Sequence, residues 1–193
     1  MEEDYNYDVF ISYKRSPLIE PWVSNFFYKV FTEWLEEKLL AIELPEPRIF
    51  FDQKNIEAGK IWPEELKTAL KTSKILVPIC SPTYFHSQWC KSEWESFKER
   101  EKFLGLPSLR VPVRHNDCEN FLKGISWSDF YGLTYPIIDW YNTKDATFFY
   151  NKVEDLATIV AQAIKNAPPY NSRWPVIEIE EESTNPFIPI QRL

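Results

Sequence analysis

Apolar residues follow two rhythms along this chain, and the two alternate. Short, nearly continuous runs, "YDVFISY" (7–13), "RIFFD" (48–52), "KILVPICS" (74–81) and "LRVPV" (109–113), have the length and the β-branched and aromatic content of buried strands. Between them the spacing lengthens to that of a helix: Val23, Phe26, Phe27, Val30, Phe31 and Trp34 within 22–41, then 63–73, 87–105, and 150–167. Pro21 and Pro63 stand where helices begin, and the acidic residues after Pro63 suit a helix N-terminus. The region holding "GISWSDF" and "YPIIDWY" (135–141) is expected to supply a short fifth strand. Strands with so little polar alternation are covered on both faces. The order therefore predicts an α/β fold with a mostly parallel five-stranded sheet between helices. From 168 to 193 the chain is Pro-rich, acidic in its middle and without helical period. It reads as a tail or linker after a domain of 1–167, or as an extended arm whose "PVIEI" adds to a sheet edge.

Composition narrows the picture. The 193 residues suit one domain with some extra, and 44% hydrophobic and 17% aromatic residues supply a full core. A net charge of −7 with no basic block disfavours capture of nucleic acid or anionic lipid. The N-terminal "MEEDYNYDVF" is unlike a secretory signal, and no apolar run approaches the ~18 residues of a membrane span, so a cytoplasmic location is the default. Cys80, Cys90 and Cys118 are odd in number and widely spaced, with only His86 and His115 to join them. No metal site or disulfide framework is expected, and the thiols read as small buried hydrophobes.

One helix carries an anomaly. With Trp89 at zero and ~100° per residue, Leu104, Phe97, Cys90 and Trp94 fall between roughly 60° and 140°, while Lys98, Lys91, Lys102, Glu95 and Glu99 fall between roughly 180° and 280°. Glu93 falls at about 40°, between Trp89 and the core. A carboxylate there costs several kcal/mol, in order of magnitude, unless something compensates. Two readings are open. Arg100, at about 20°, offers a salt bridge. Alternatively the helix starts at a pocket, into which Trp89 and Glu93, four residues apart, both point.

A doubly wound sheet places its ligand crevice beyond the carboxyl ends of the strands. Three polar loops converge there: "SYKRS" with Lys14 and Arg15, "DQKNIEAGKIW" with Asp52, Lys54, Gly59 and Lys60, and "SPTYFHSQW". The positive charges of the first two suit a phosphate-bearing ligand, or are merely solvated. No GxGxxG, GxxxxGK[ST] or GxSxG pattern occurs, and neither histidine has an evident nucleophile, so dinucleotide-fingerprint, P-loop and nucleophilic hydrolase readings lose their signals. An aromatic plane beside a partly desolvated carboxylate remains, an arrangement suited to stabilising a cationic sugar during glycosidic cleavage.

"YDVFISY" followed by "RIFFDQKNIEAGKIWPEELKTALKTSKILVPICSPTYFHSQWCKSEWESF" resembles a Toll/interleukin receptor (TIR) domain, on its bacterial and plant side, over residues 5 to about 165. The resemblance implies a flavodoxin-like fold and a domain that takes NAD+ as substrate, with no further cofactor. By the same resemblance Glu93 is the catalytic residue at the nicotinamide ribose and Trp89 lines the site. Tyr13 is a substrate contact with Lys14 and Arg15 beside it, and Asp52 and Gly59 belong to a loop that also shapes assembly. The implied activity is that of an NAD+ glycohydrolase or an ADP-ribosyl cyclase, between which the sequence does not choose. The implied setting is immune or anti-phage signalling, with activation by self-association and a sensor or effector protein as partner. Two alternatives stand beside it: a non-catalytic TIR interaction module, and a nucleoside-transferring enzyme that also uses a glutamate. The long aromatic segment 105–149 departs from the family pattern.

Overall fold

The strand Tyr7–Tyr13 (β1) buries its five central residues and is an inner strand of a five-stranded, all-parallel sheet. In this computed structural model, residues 4–51, 64–105, 109–118, 123–133 and 144–179 are described. After β1 come a helical turn Glu20–Trp22 (α1), a π-helical turn Val23–Phe27 and the helix Tyr28–Leu40 (α2). They are followed by Ile49–Phe51 (β2), Glu64–Lys71 (α3), Ser73–Cys80 (β3) and a 3₁₀ turn at Tyr84–His86. Gln88–Leu104 (α4), Val113–Arg114 (β4), Ser128–Asp129 (β5) and Lys144–Lys165 (α5) complete the order. The strands lie as β2-β1-β3-β4-β5. This is the flavodoxin-like order, in which the connections change direction between β1 and β3. Right-handed crossovers put α2 and α5 on one face and α3 and α4 on the other. Lys38 and Glu154, 2.6 Å apart, join the first pair, and Arg100 of α4 reaches the Leu70 carbonyl of α3 in the second.

The strand register is fixed at both ends of the sheet. At the N-terminal rim the buried Asp8 accepts from the backbone N–H of Arg48 at 2.9 Å and pairs with Lys74 Nζ at 2.7 Å, tying together the starts of β1, β2 and β3. Inside α4, the carboxylate of Glu101 accepts from the backbone N–H groups of Leu109 and Arg110 and pairs with the Arg110 guanidinium at 2.6 Å, which anchors the entry to the fourth strand.

The expected elements shift in four places. The fourth strand, expected over 109–113, is regular only at Val113–Arg114, preceded by an isolated bridge between Leu76 and Arg110. The register sets Pro112 beside Pro78, and neither has an N–H to donate, so the ladder breaks there. The fifth strand falls in the "GISWSDF" part of its region, at Ser128–Asp129, while 135–141 lie outside the described residues. The first helix runs from Glu20 and contains the π-helical turn, in which the Tyr28 N–H bonds the Val23 carbonyl. That i→i+5 step sets Trp22 over Phe27, their rings stacked at 5.2 Å. The last helix starts at Lys144 and not near 150, because Ala146 and Phe149 extend the buried stripe of Val153, Leu156 and Val160 by two turns.

The segment after α5 lies against a helix and not a sheet edge. Residues 168–179 run along α4, with Trp174 buried and the backbone of Ile177 and Ile179 bonded to serines of that helix. Among the described residues, no helix is long and apolar enough to cross a membrane.

Candidate active site

The switch between β1 and β3 opens at the carboxyl ends of these two strands, and α4 starts beside them. The helix is positioned at its first residue and stopped at its last. Ser87, extended at φ −88°, accepts the Cys90 N–H in its side chain as an N-cap, and Gly105 closes the other end in the left-handed region at φ +66°. Between these ends Glu93 is 6% exposed, which places the carboxylate inside the molecule.

Its partner comes from β1. Ser12, the last of the buried central residues of that strand, donates its hydroxyl to Glu93 Oε2. Ser12 Oγ also lies 2.7 Å from the hydroxyl of Tyr84, a fully buried residue of the 3₁₀ turn after β3. A carboxylate only accepts, so the Ser12 proton is committed to Glu93 and Tyr84 must donate to Ser12. Burial, followed by the nearby Cys90 and Glu93, holds the Tyr84 phenol well above its ordinary value, so it retains the proton it donates. Three elements distant in sequence thus meet at the Ser12 hydroxyl.

The salt bridge offered by Arg100 is not how that residue is used. Its guanidinium donates to the carbonyls of Leu70 (2.8 Å) and Ser73 (3.1 Å) and lies 4.2 Å from the Phe97 ring. It satisfies the end of α3, two turns along α4 from Glu93.

The other expected site residues are placed as follows. Trp89, half-buried and one turn before Glu93, packs against the main core. Tyr13 ends β1 and stacks on Phe51 at 5.7 Å, and burial raises its phenol, with Arg15 nearby opposing the shift. Lys14 and Arg15 part company: Arg15 lies by the Tyr13 phenol, while Lys14 is near enough to Cys90 to favour the thiolate electrostatically. Burial and then Glu93 outweigh it and push the Cys90 thiol far up, so Cys90 is a neutral thiol and no nucleophile. Asp52 and Gly59, with Lys54 and Lys60, lie outside the described residues. The structure therefore gathers Ser12, Tyr84 and Glu93 at one point, with Tyr13 and Lys14 directly after Ser12 in the chain and Trp89 one turn away on α4.

Ser12 and Tyr84 were not singled out from sequence. A signal existed for Ser12, a small hydroxyl directly after the apolar run Val9–Ile11. Tyr84 had none, since it sat in a polar loop of mixed character. Cys80, Cys90 and Cys118 are free, buried thiols that pack with Tyr84 and Trp94 behind the site. Among the described residues no group of His, Cys, Asp and Glu could hold a metal ion.

Residues 9–136 match the family model described as the TIR domain. The disease resistance protein RPS6 of Arabidopsis thaliana is 29% identical over 113 residues, which is 58% of this chain and 9% of the plant protein. Among solved structures, the TIR domain of the Toll-related receptor TRR-2 of Hydra magnipapillata matches with 21% identity and a TM-score of 0.43, covering 78% of this chain and 98% of that one. The TIR domains of the activated Roq1 resistosome recognising the effector XopQ match with 21% identity and a TM-score of 0.41, covering 81% and 84%.

Proposed function

This chain belongs to the TIR domain family, matched over residues 9–136, and from that premise we propose that it cleaves the nicotinamide–ribose bond of NAD+ with Glu93 as its catalytic residue. The observation that carries the reading is the placement of Glu93, buried at the β1/β3 switch and held by Ser12. Arg100, the cation on the same helix face, is committed to the carbonyls of Leu70 and Ser73.

The chemistry asked of these residues is modest. The nicotinamide ring is cationic while bonded to ribose and leaves as a neutral base, so the leaving group needs no proton. As the bond breaks, positive charge moves onto the ribose, toward an oxocarbenium-like transition state. Glu93 supplies fixed negative charge where that charge develops, and its bond from Ser12 means that it need not reorganise during the step. Trp89 offers an aromatic plane beside it, and Lys14 and Arg15 answer the charge of the pyrophosphate. Water attacking the ribose carbon gives ADP-ribose; attack by the adenine of the same molecule gives a cyclic isomer.

The match to a plant disease resistance protein, of which this chain spans under a tenth, supports a role in immune signalling. Family membership supports self-association as the activating step, with a sensor or effector protein as partner and a cytoplasmic setting. Residues 1–167 form the TIR domain in this reading.

The test is NAD+ consumption by the purified chain at high concentration or with a crowding agent, with products separated chromatographically, beside Glu93→Gln. Turnover reduced at least ~100-fold in the variant supports the assignment. A wild-type chain that binds another TIR chain yet consumes no NAD+ in any assembly state favours an interaction module instead.

A further inference from the structure

The segment after α5 makes contacts that are periodic with α4. A turn at Asn171, whose side chain accepts the Arg173 N–H at 2.9 Å, delivers Trp174 into a socket where its indole N–H donates to the Tyr5 hydroxyl at 3.2 Å. The Phe103 ring lies edge-on to Trp174 at 6.2 Å, and the Arg100 guanidinium is 5.8 Å away. The chain then runs extended toward the start of α4. The Ile177 N–H donates to Ser96 Oγ at 2.8 Å, and the Ile179 N–H to Ser92 Oγ at 3.0 Å.

The spacing explains why two such bonds can form. Two residues of extended chain advance about 6.6 Å and four residues of helix about 6.0 Å, so alternate N–H groups of the segment meet every fourth side chain of α4. Both helix positions are serines, short enough for the backbone to approach. Ser96 Oγ also donates to the Ser92 carbonyl at 2.7 Å, so both functions of that hydroxyl are used. Glu178, between the two bonded residues, pairs with Lys67 of α3 at 2.7 Å. A groove of about 580 Å³, edged by Phe103 and Trp174, remains between helix and segment. The contact is therefore one plug at Trp174, a packing contact of Val176 on the core, and a row of bonds.

Ser92 and Ser96 bracket Glu93. We infer that residues 168–179 are a strap that positions α4, and through Ser92 and Ser96 sets the depth and rotation of Glu93 at the switch point; this rests on the reading of Glu93 as the reacting carboxylate. Ser12 and Tyr84 hold the carboxylate from the sheet side, and the strap holds its helix from outside. Residues 177 and 179 are positioning residues that touch no substrate.

The test uses the full chain with Ile177→Pro, which removes the N–H that bonds Ser96 together with the isoleucine side chain and suits an extended backbone, against Ile177→Ala, which shortens the side chain and keeps the N–H. Ser96→Ala removes the acceptor from the other side. Hydrogen–deuterium exchange of α4 is read first, with α5 as the internal control for folding, and NAD+ turnover second. The expected result is exchange about tenfold faster in α4 of Ile177→Pro and Ser96→Ala with α5 unchanged, kcat lower by roughly tenfold, KM within about twofold, and Ile177→Ala near wild type. Unchanged α4 exchange overturns the strap whatever the turnover. Faster exchange with unchanged kcat overturns its positioning of Glu93. A wild-type chain without turnover defeats the functional reading, and that failure is visible before any strap variant is made.

Discussion

His115 follows β4 with 2% of its surface exposed, its ring 4.8 Å from that of Trp22, and neither ring nitrogen has a hydrogen-bond partner among the described residues. Burial depresses it to about 4. The unfolded chain takes up a proton near pH 6.5 and the folded chain does not until about pH 4, so stability falls as pH drops through that interval. The size is roughly 3 kcal/mol. Urea melts between pH 7 and 4 should show the loss, and His115→Phe should remove most of it. Asp8 adds a second decline at lower pH. Burial alone would raise its carboxyl, but hydrogen bonds from Lys74 and Arg48 outweigh that and hold it below 3.8. Its contribution is complete above 3.8 and is lost as pH falls through the lower folded value, and Asp8→Asn should cost about 1.5–3 kcal/mol at pH 7 by the same melts. At this scale the sequence was legible in part. The helical wheel put Glu93 inside because the period of α4 is regular. It could not name Ser12, which lies 81 positions away and meets Glu93 only once β1 and α4 pack. The competing partner, Arg100, shared the helix face but was seven residues off, about 10 Å along the axis, so the pairing the wheel suggested was geometrically strained from the start.

At the scale of elements, Arg100 shows how a helix can be ended by another helix. Its two bonds satisfy carbonyls at the end of α3 and the start of β3, and its charge persists there although burial lowers it to about 10. Arg100→Met keeps most of the packing on Phe97 and leaves two buried carbonyls unbonded. It should destabilise the fold by about 3 kcal/mol, read as a lower denaturant midpoint with an unchanged slope. Elements with a clean period were located closely from sequence, β1 and α4 above all. The errors fall where local and tertiary preferences conflict. "ATFFY" at the start of α5 is aromatic and β-branched, and only burial of Ala146 and Phe149 makes it helical. The break in the fourth strand required knowing that Pro112 would face Pro78, a fact of register and not of composition.

For the whole molecule, a net charge of −7 opposes close approach of copies. If self-association activates the chain, raising ionic strength from about 10 to 150 mM should shift it toward larger species in sedimentation velocity, since screening shortens the range of repulsion to about 8 Å. How copies would meet is constrained by the sheet. Among the described residues its margins are β2, at Ile49–Phe51, and β5, at Ser128–Asp129, and the well-formed β1 and β3 lie between neighbours. Margins so short offer few open N–H and C=O groups to a strand from another molecule. Ordered assemblies of this chain should then grow through helical and loop surfaces, leaving thioflavin fluorescence flat and the 4.7 Å cross-β reflection absent even when the particles are long. If assembly activates the chain, as proposed, the short described margins of its sheet would set that assembly apart from amyloid.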